Sequence, residues 1–305
     1  MKIARPIIIT DAMLASSNIP ETDYTAWSAT PSYALGDRVI LVDENIHQVY
    51  EAATGTSNQN KSPAYSANVG SAAFWLLVGN TNRWRMFDQS SSNQASMLSQ
   101  MTLTLLPSAR FDTLALLNVN AASVTVTQTS PTDGVVYNVT SSLVSPSGIQ
   151  DWYDYFFEPI VRLTDFAITT LLPYADSSIS ITLDDAGGTA LLGELVLGLS
   201  RDIGFTQYGA SVGIQDYSVK QTDAFGNAEI VERAYAKRGE FTVWVEPASV
   251  DELEFMLAGY RAAPALYLGS DSYTSTFIYG FYKAFDVVLT YPTFSICTIS
   301  VEGLT

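Results

Sequence analysis

Residues 123–128 read Ser-Val-Thr-Val-Thr-Gln. In an extended chain, Val124, Val126 and Gln128 face one way and Ser123, Thr125 and Thr127 the other. That period of two is the mark of a half-buried antiparallel strand. The alternation returns in Phe241, Val243 and Val245 against Thr242 and Trp244, and in Cys297, Ile299 and Val301 against Thr298 and Ser300. Further strand-like runs occupy residues 101–106, 113–119, 135–139, 160–163, 178–183 and 190–197. About eight short strands in about 110 residues, with turns between them, predict a β-sandwich or jelly roll. Charged residues are only 15% of the chain, against about a quarter in an ordinary domain, which suits β-structure with hydroxyl-rich faces.

The chain is expected to be mainly β, in three units behind an arm. Residues 1–23 read as an extended N-terminal arm whose Ile7, Ile8 and Ile9 could pair with a sheet edge. Residues 24–88 form a small aromatic-rich β module. Its runs at 38–42, 47–52 and 75–78 are separated by turns such as residues 56–60. So short a unit buries only a thin core, and Trp27, Tyr33, Tyr50, Phe74 and Trp75 must supply much of it. Ser90-Ser91-Ser92 sits in a linker-like stretch. Residues 89–198 are the predicted sandwich, and residues 199–305 a C-terminal β domain for assembly. One helix is expected there, at about 250–262. Ser249 and Glu252 have capping-box spacing, Val250, Leu253, Leu257 and Tyr260 share a face, and Pro264 stops the helix.

The net charge of −16, from 15 basic and 31 acidic residues, repels phosphate and argues against direct nucleic-acid binding. There is no run of eighteen apolar residues, and Ile7-Ile8-Ile9 is too short for a signal peptide. A protein made in the cytoplasm, not secreted and not inserted in a membrane, is therefore expected. The single Cys297 leaves no partner for an internal disulfide and reads as a buried thiol in a strand.

Trp27, Tyr33-Ala34-Leu35-Gly36-Asp37-Arg38-Val39, His47-Gln48-Val49-Tyr50-Glu51-Ala52 and Trp75 follow one another in an order that resembles the small chitin-binding type carbohydrate modules of families 5 and 12. The resemblance covers about 55 residues and implies Trp27, Tyr33, Tyr50 and Trp75 as candidate carbohydrate-binding residues. Tyr50 and Trp75 are read as mainly structural, and Trp27 and Tyr33 as the better exposed. Ala109-Arg110-Phe111-Asp112-Thr113-Leu114-Ala115-Leu116 and Gly193-Glu194-Leu195-Val196-Leu197-Gly198 make the middle unit similar to galactose-binding-like sandwiches of the discoidin kind. Such folds often hold a sugar or a calcium ion. Ile214-Gln215-Asp216-Tyr217-Ser218, Asp223-Ala224-Phe225-Gly226, Arg261-Ala262-Ala263-Pro264-Ala265 and Tyr279-Gly280-Phe281-Tyr282 give the third unit a resemblance to structural proteins of tailed bacteriophages. That resemblance implies a baseplate or distal-tail position in the virion.

Catalytic chemistry finds little to work with. His47 is the one histidine and has no nucleophile motif beside it, so it reads as a satisfied strand residue and not the base of a triad. No Cys/His cluster suggests zinc. Asp151 and Asp154 lie among aromatics, as glycosidase acids could. The preferred reading of residues 151–157 is an aromatic plug, formed by a loop, between domains or subunits. Asp184-Asp185 before two glycines is a weak calcium candidate or a plain turn. No cofactor is implied. The expectation is a non-enzymatic tail component. Its partners would be copies of itself in a ring or trimer, other tail proteins and a host-surface glycan. The alternative is an adhesin for host polysaccharide.

Overall fold

The computed structural model describes residues 1–43, 46–54, 58–66, 74–145, 151–157, 159, 161–222 and 226–304. The chain is mainly β, as expected. Fourteen of its described strands join one antiparallel sheet system. The N-terminal strands are β1 (Lys2–Pro6) and β2 (Leu14–Ser17). A separate three-stranded sheet follows: β3 (Arg38–Asp43), β4 (Ile46–Ala52) and β5 (Trp75–Asn80), with a short helix α1 (Pro63–Ser66).

The middle unit is a two-layer β-sandwich. It contains β6 (Ala95–Leu105), β7 (Thr113–Asn120), β8 (Ser123–Ser130), β9 (Gly134–Ser142), β10 (Phe166–Ile168) and the 25-residue β11 (Ser178–Asp202), with helix α2 (Trp152–Phe157) outside it. Strand β8 alternates as its sequence demands, with Val124, Val126 and Gln128 buried. The runs at 178–183 and 190–197 belong to one strand, not two. β11 pairs with β8 and β6 up to Asp184 and, after a register shift between Asp184 and Thr189, with β6 again over Thr189–Leu192 and with β7 over Leu191–Gly198. Leu103, Leu116, Val126, Ile181 and Leu195 share one core. Of the run expected at 160–163, Arg162 makes an isolated bridge to Val144, and Ile160 lies outside the described residues.

The third unit holds β12 (Phe205–Thr206), β13 (Ser211–Asp216), β14 (Val219–Thr222), β15 (Ala228–Val231), β16 (Tyr235–Val245), β17 (Ala265–Leu268), β18 (Phe277–Val288) and β19 (Ser295–Gly303). Helix α3 (Val250–Gly259) packs Leu253 and Leu257 onto the sheet face that carries Phe241, Val243, Cys297 and Ile299. Each large side chain buried this way is worth about 1.5–3 kcal/mol. Asp251 and Glu252 lie in the first turn, where the helix dipole favours them. Ser249 makes no side-chain cap bond and has helical backbone angles, because a 3-10 turn at Pro247–Ser249 leads directly into the helix. The helix ends at Gly259, short of the expected 262, and Ala262 turns the chain at φ +57° before Pro264. Burial raises the Cys297 thiol to about 11, which fits an inert structural thiol.

The largest departure from expectation is the arm. Residues 2–6 are not an extension toward a neighbour. They form an internal strand of the chain's own sheet, with β11 on one side and β17 on the other. Ile3 faces the third unit's core, while Ala4 faces a seam core built with Leu117, Val196, Leu266, Phe277 and Tyr279. Ile9 enters the sandwich core and Ile8 stays exposed. A strand covered on both faces shows no alternation, so its five residues carry no sign of their place.

Candidate functional site

The small module holds the site residues that the sequence singles out. Its chain reversal is set by Gly36, whose φ of +86° few side chains tolerate. Beside it, Asp37 Oδ2 accepts a hydrogen bond from Ala34 N at 2.7 Å. The turn launches β3, and β3 pairs with β4 from Arg38↔Glu51 to Asp43↔Ile46. Glu44 and Asn45, between β3 and β4, lie outside the described residues, as do 55–57.

All four predicted ring residues come together in one cluster. Trp75 is 1% exposed, and its indole N–H donates to Lys61 O at 2.9 Å. Tyr33 meets Trp75 edge-on, with centroids 5.0 Å apart and planes at 68°. Tyr50 is 3% exposed, donates its hydroxyl to Gln48 Oε1 at 2.6 Å, and has its phenol pKa raised by burial. Trp27 and Tyr33 are half-buried. The Tyr33 hydroxyl donates to Ser28 O and accepts from Ser28 N, so its polar end is occupied by the module's own backbone. The Trp27 indole N–H is buried without a partner among the described residues. A sugar platform needs ring faces open to solvent. The geometry here is that of a thin core, with Tyr33 crossed against Trp75.

His47, on β4, occupies a joint that the sequence does not reveal. Its Nδ1 lies 2.7 Å from Glu21 Oε1 and its Nε2 2.7 Å from Asp11 Oδ1. Its ring stacks on Trp84 at 4.3 Å and 15°. Glu21 also accepts from Thr81 Oγ1 at 2.7 Å and lies 3.5 Å from Arg83 Nη1. Trp84 and Met86 come from a 3-10 turn, Asn82–Phe87, and belong to the sandwich core. This turn, at the C-terminal end of the predicted module, therefore anchors it to the sandwich. Both imidazole nitrogens are engaged with carboxylates, so His47 acts as a fastener. The one forerunner in the sequence is His47 itself, set in a strand with no nucleophile motif near it.

The acidic candidates separate. Asp185 is buried, and its Oδ1 lies 2.7 Å from Arg162 Nη2, so an ion pair accounts for its position. Asp184 lies in the ladder with Gln100 and Ser123. Among the described residues, no group of three or more His, Cys, Asp or Glu side chains could hold a metal ion. Residues 152–157 form helix α2 instead of the expected loop. Asp151 Oδ1 accepts from Tyr153 N at 2.8 Å at its start, and the side chains of Asp154 and Tyr155 lie outside the described set. The helix does not plug the space between units of this chain. Trp152, Tyr153, Phe156 and Phe157 are 77%, 67%, 69% and 71% exposed. Trp152 and Phe156 lie near-parallel with centroids 6.5 Å apart, and Tyr153 and Phe157 meet at 4.7 Å.

No model of a known protein family matches the chain, and no curated protein matches it in sequence. The three resemblances stand on the residues quoted for them. Of these, Ile214–Asp216 fall in β13 and Tyr279–Tyr282 in β18, while Asp223-Ala224-Phe225 lie outside the described residues.

Proposed function

We propose that this chain is a non-enzymatic structural component of a bacteriophage tail tip or baseplate, assembling with copies of itself in a ring or trimer. The observation that supports it most is helix α2. Four large aromatic side chains on six consecutive residues stand in solvent. Exposed apolar groups of this kind mark contact surfaces, and aromatics are enriched at the centres of interfaces. An aromatic plug between subunits keeps the sequence-based reading of this segment, and the exposure of these rings in the single chain favours a socket on another copy. The small module, fastened through His47 and Trp84 to the sandwich, is then a decoration or docking domain on a rigid body.

Mass spectrometry of purified virions from the phage that encodes the chain tests the placement. Stoichiometric presence among tail proteins is expected, and absence from the particle overturns it. The second reading, an adhesin for a host-surface polysaccharide, draws on the module's likeness to carbohydrate modules and on half-buried Trp27 and Tyr33. Retention on chitin, peptidoglycan or lipopolysaccharide that is lost in Trp27→Ala is its test.

A further inference from the structure

An unassigned concavity lies in the third unit, about the ends of β11 and β17. Its walls are residues 202–212 and the loop 268–276, and its volume is about 620 Å³, within the range of small-ligand sites. Gly204 lets this wall form, because a Cβ there would sit 2.0 Å from Trp244 O. The tight approach of the chain to β16 turns the following residues outward. Gly209, at φ +98°, completes the turn that presents Tyr208.

Three rings line the cleft: Phe205 at 78% exposed, Tyr208 fully exposed and Tyr273 at 63%. The polar groups beside them are Asp202, Gln207, Ser270 and Asp271. Asp271 lies 3.8 Å from Lys2 Nζ, so one carboxylate is partly offset by a cation. Asp202 Oδ1 accepts from Gly204 N at 3.0 Å and has accepting capacity to spare. The Gln207 side-chain nitrogen is shielded from solvent, so the donor that the cleft itself offers is Lys2, which lines it.

Open tyrosine faces, carboxylate acceptors and a lysine donor describe one ligand chemistry. A saccharide ring offers an apolar C–H face and a rim of hydroxyls, each of which both donates and accepts. Lys2 and the Met1 amino group line the same cleft as the two carboxylates, so no net charge draws an ion of either sign, and a purely apolar ligand would leave these groups desolvated. We propose that this cleft binds a neutral saccharide. Its C–H face packs on Tyr208 and Tyr273, and its hydroxyls meet Asp202, Asp271 and Lys2. The inference rests on glycan recognition by this chain and is independent of its assembly. It moves the sugar site from the first unit to the third.

The full-length protein is screened on an array of neutral bacterial-surface oligosaccharides, with chitotetraose and mannotetraose as soluble probes in calorimetric titrations. At least one array glycan or probe is expected to bind. Tyr208→Ala and Tyr273→Ala should each weaken it tenfold or more, with unchanged melting temperature because both rings are exposed. Phe255→Ala, an exposed ring on α3 outside the cleft, should leave it unchanged. Binding that survives both tyrosine substitutions, or that is lost only in Trp27→Ala, overturns this site while leaving glycan recognition standing. Absence of binding to every array glycan and both probes overturns both.

Discussion

Glu194 offers the sharpest quantitative test. It sits on β11, 3% exposed, two residues before Val196, which lies in the seam core with Leu117 and Tyr279. Its Oε2 has no hydrogen-bond partner among the described residues. Burial, with a smaller push from the Asp88 charge and partial relief from Gln89 N–H, raises its pKa from 4.5 to about 9. Between those values the folded chain keeps a proton that the unfolded chain releases. Stability therefore falls as pH rises through this window and levels off above about 9. The slope for one proton is about 1.4 kcal/mol per pH unit, so the loss between pH 4.5 and 7 is about 3 kcal/mol. Glu194→Gln keeps the shape and removes the titration. Urea unfolding of both proteins at pH 5, 7 and 8.5 should show the variant gaining on the wild type by about 1.4 kcal/mol per pH unit. Groups common to both proteins cancel in the difference. Parallel stability curves would refute the claim that Glu194 is held neutral in the seam.

Four further outcomes follow from the geometry. Trp152→Asp with Phe156→Asp should lower the mass of the assembly in solution while leaving the melting temperature within a few degrees, because both rings are exposed in the single chain. Arg162→Leu strands the buried Asp185 carboxylate and should cost about 2–3 kcal/mol in urea unfolding, the lower figures reflecting partial exposure of Arg162. Neither calcium nor a chelator should change the wild-type melting temperature. Trp75→Ala removes the centre of a thin core and should destabilise the small module by about 3–5 kcal/mol, read as early loss of Trp and Tyr fluorescence change on heating.

What the sequence discloses follows the range of its patterns. Strands β8, β16 and β19 each bury one face, so alternation alone marks Val124, Phe241 and Cys297 as inward. Strand β1 is covered on both faces by cores whose other members lie more than a hundred residues away, and five residues carry no trace of that. Helix α2 reads as a loop in the sequence because Trp, Tyr and Phe prefer strands and no polar stripe supplies a helical period. Ser249 and Glu252 have capping-box spacing, yet Pro247 directs the chain into a 3-10 turn and leaves the cap unmade. The order of the four rings in the small module is enough to group them. Which of them is open to solvent depends on how Tyr33 crosses Trp75 and where Tyr50 is buried, and no local spacing encodes that. The Asp11–His47–Glu21 joint is invisible for the same reason, since its carboxylates come from the segment expected to be an extended arm.

The central claim is that the exposed aromatic helix is a contact between copies of this chain. The most direct measurement is the mass of the purified protein by light scattering over a hundredfold dilution. The account predicts a closed assembly of three or more 33.1 kDa chains that persists on dilution, and a smaller species for the Trp152→Asp, Phe156→Asp variant. A 33.1 kDa monomer at every concentration would contradict it.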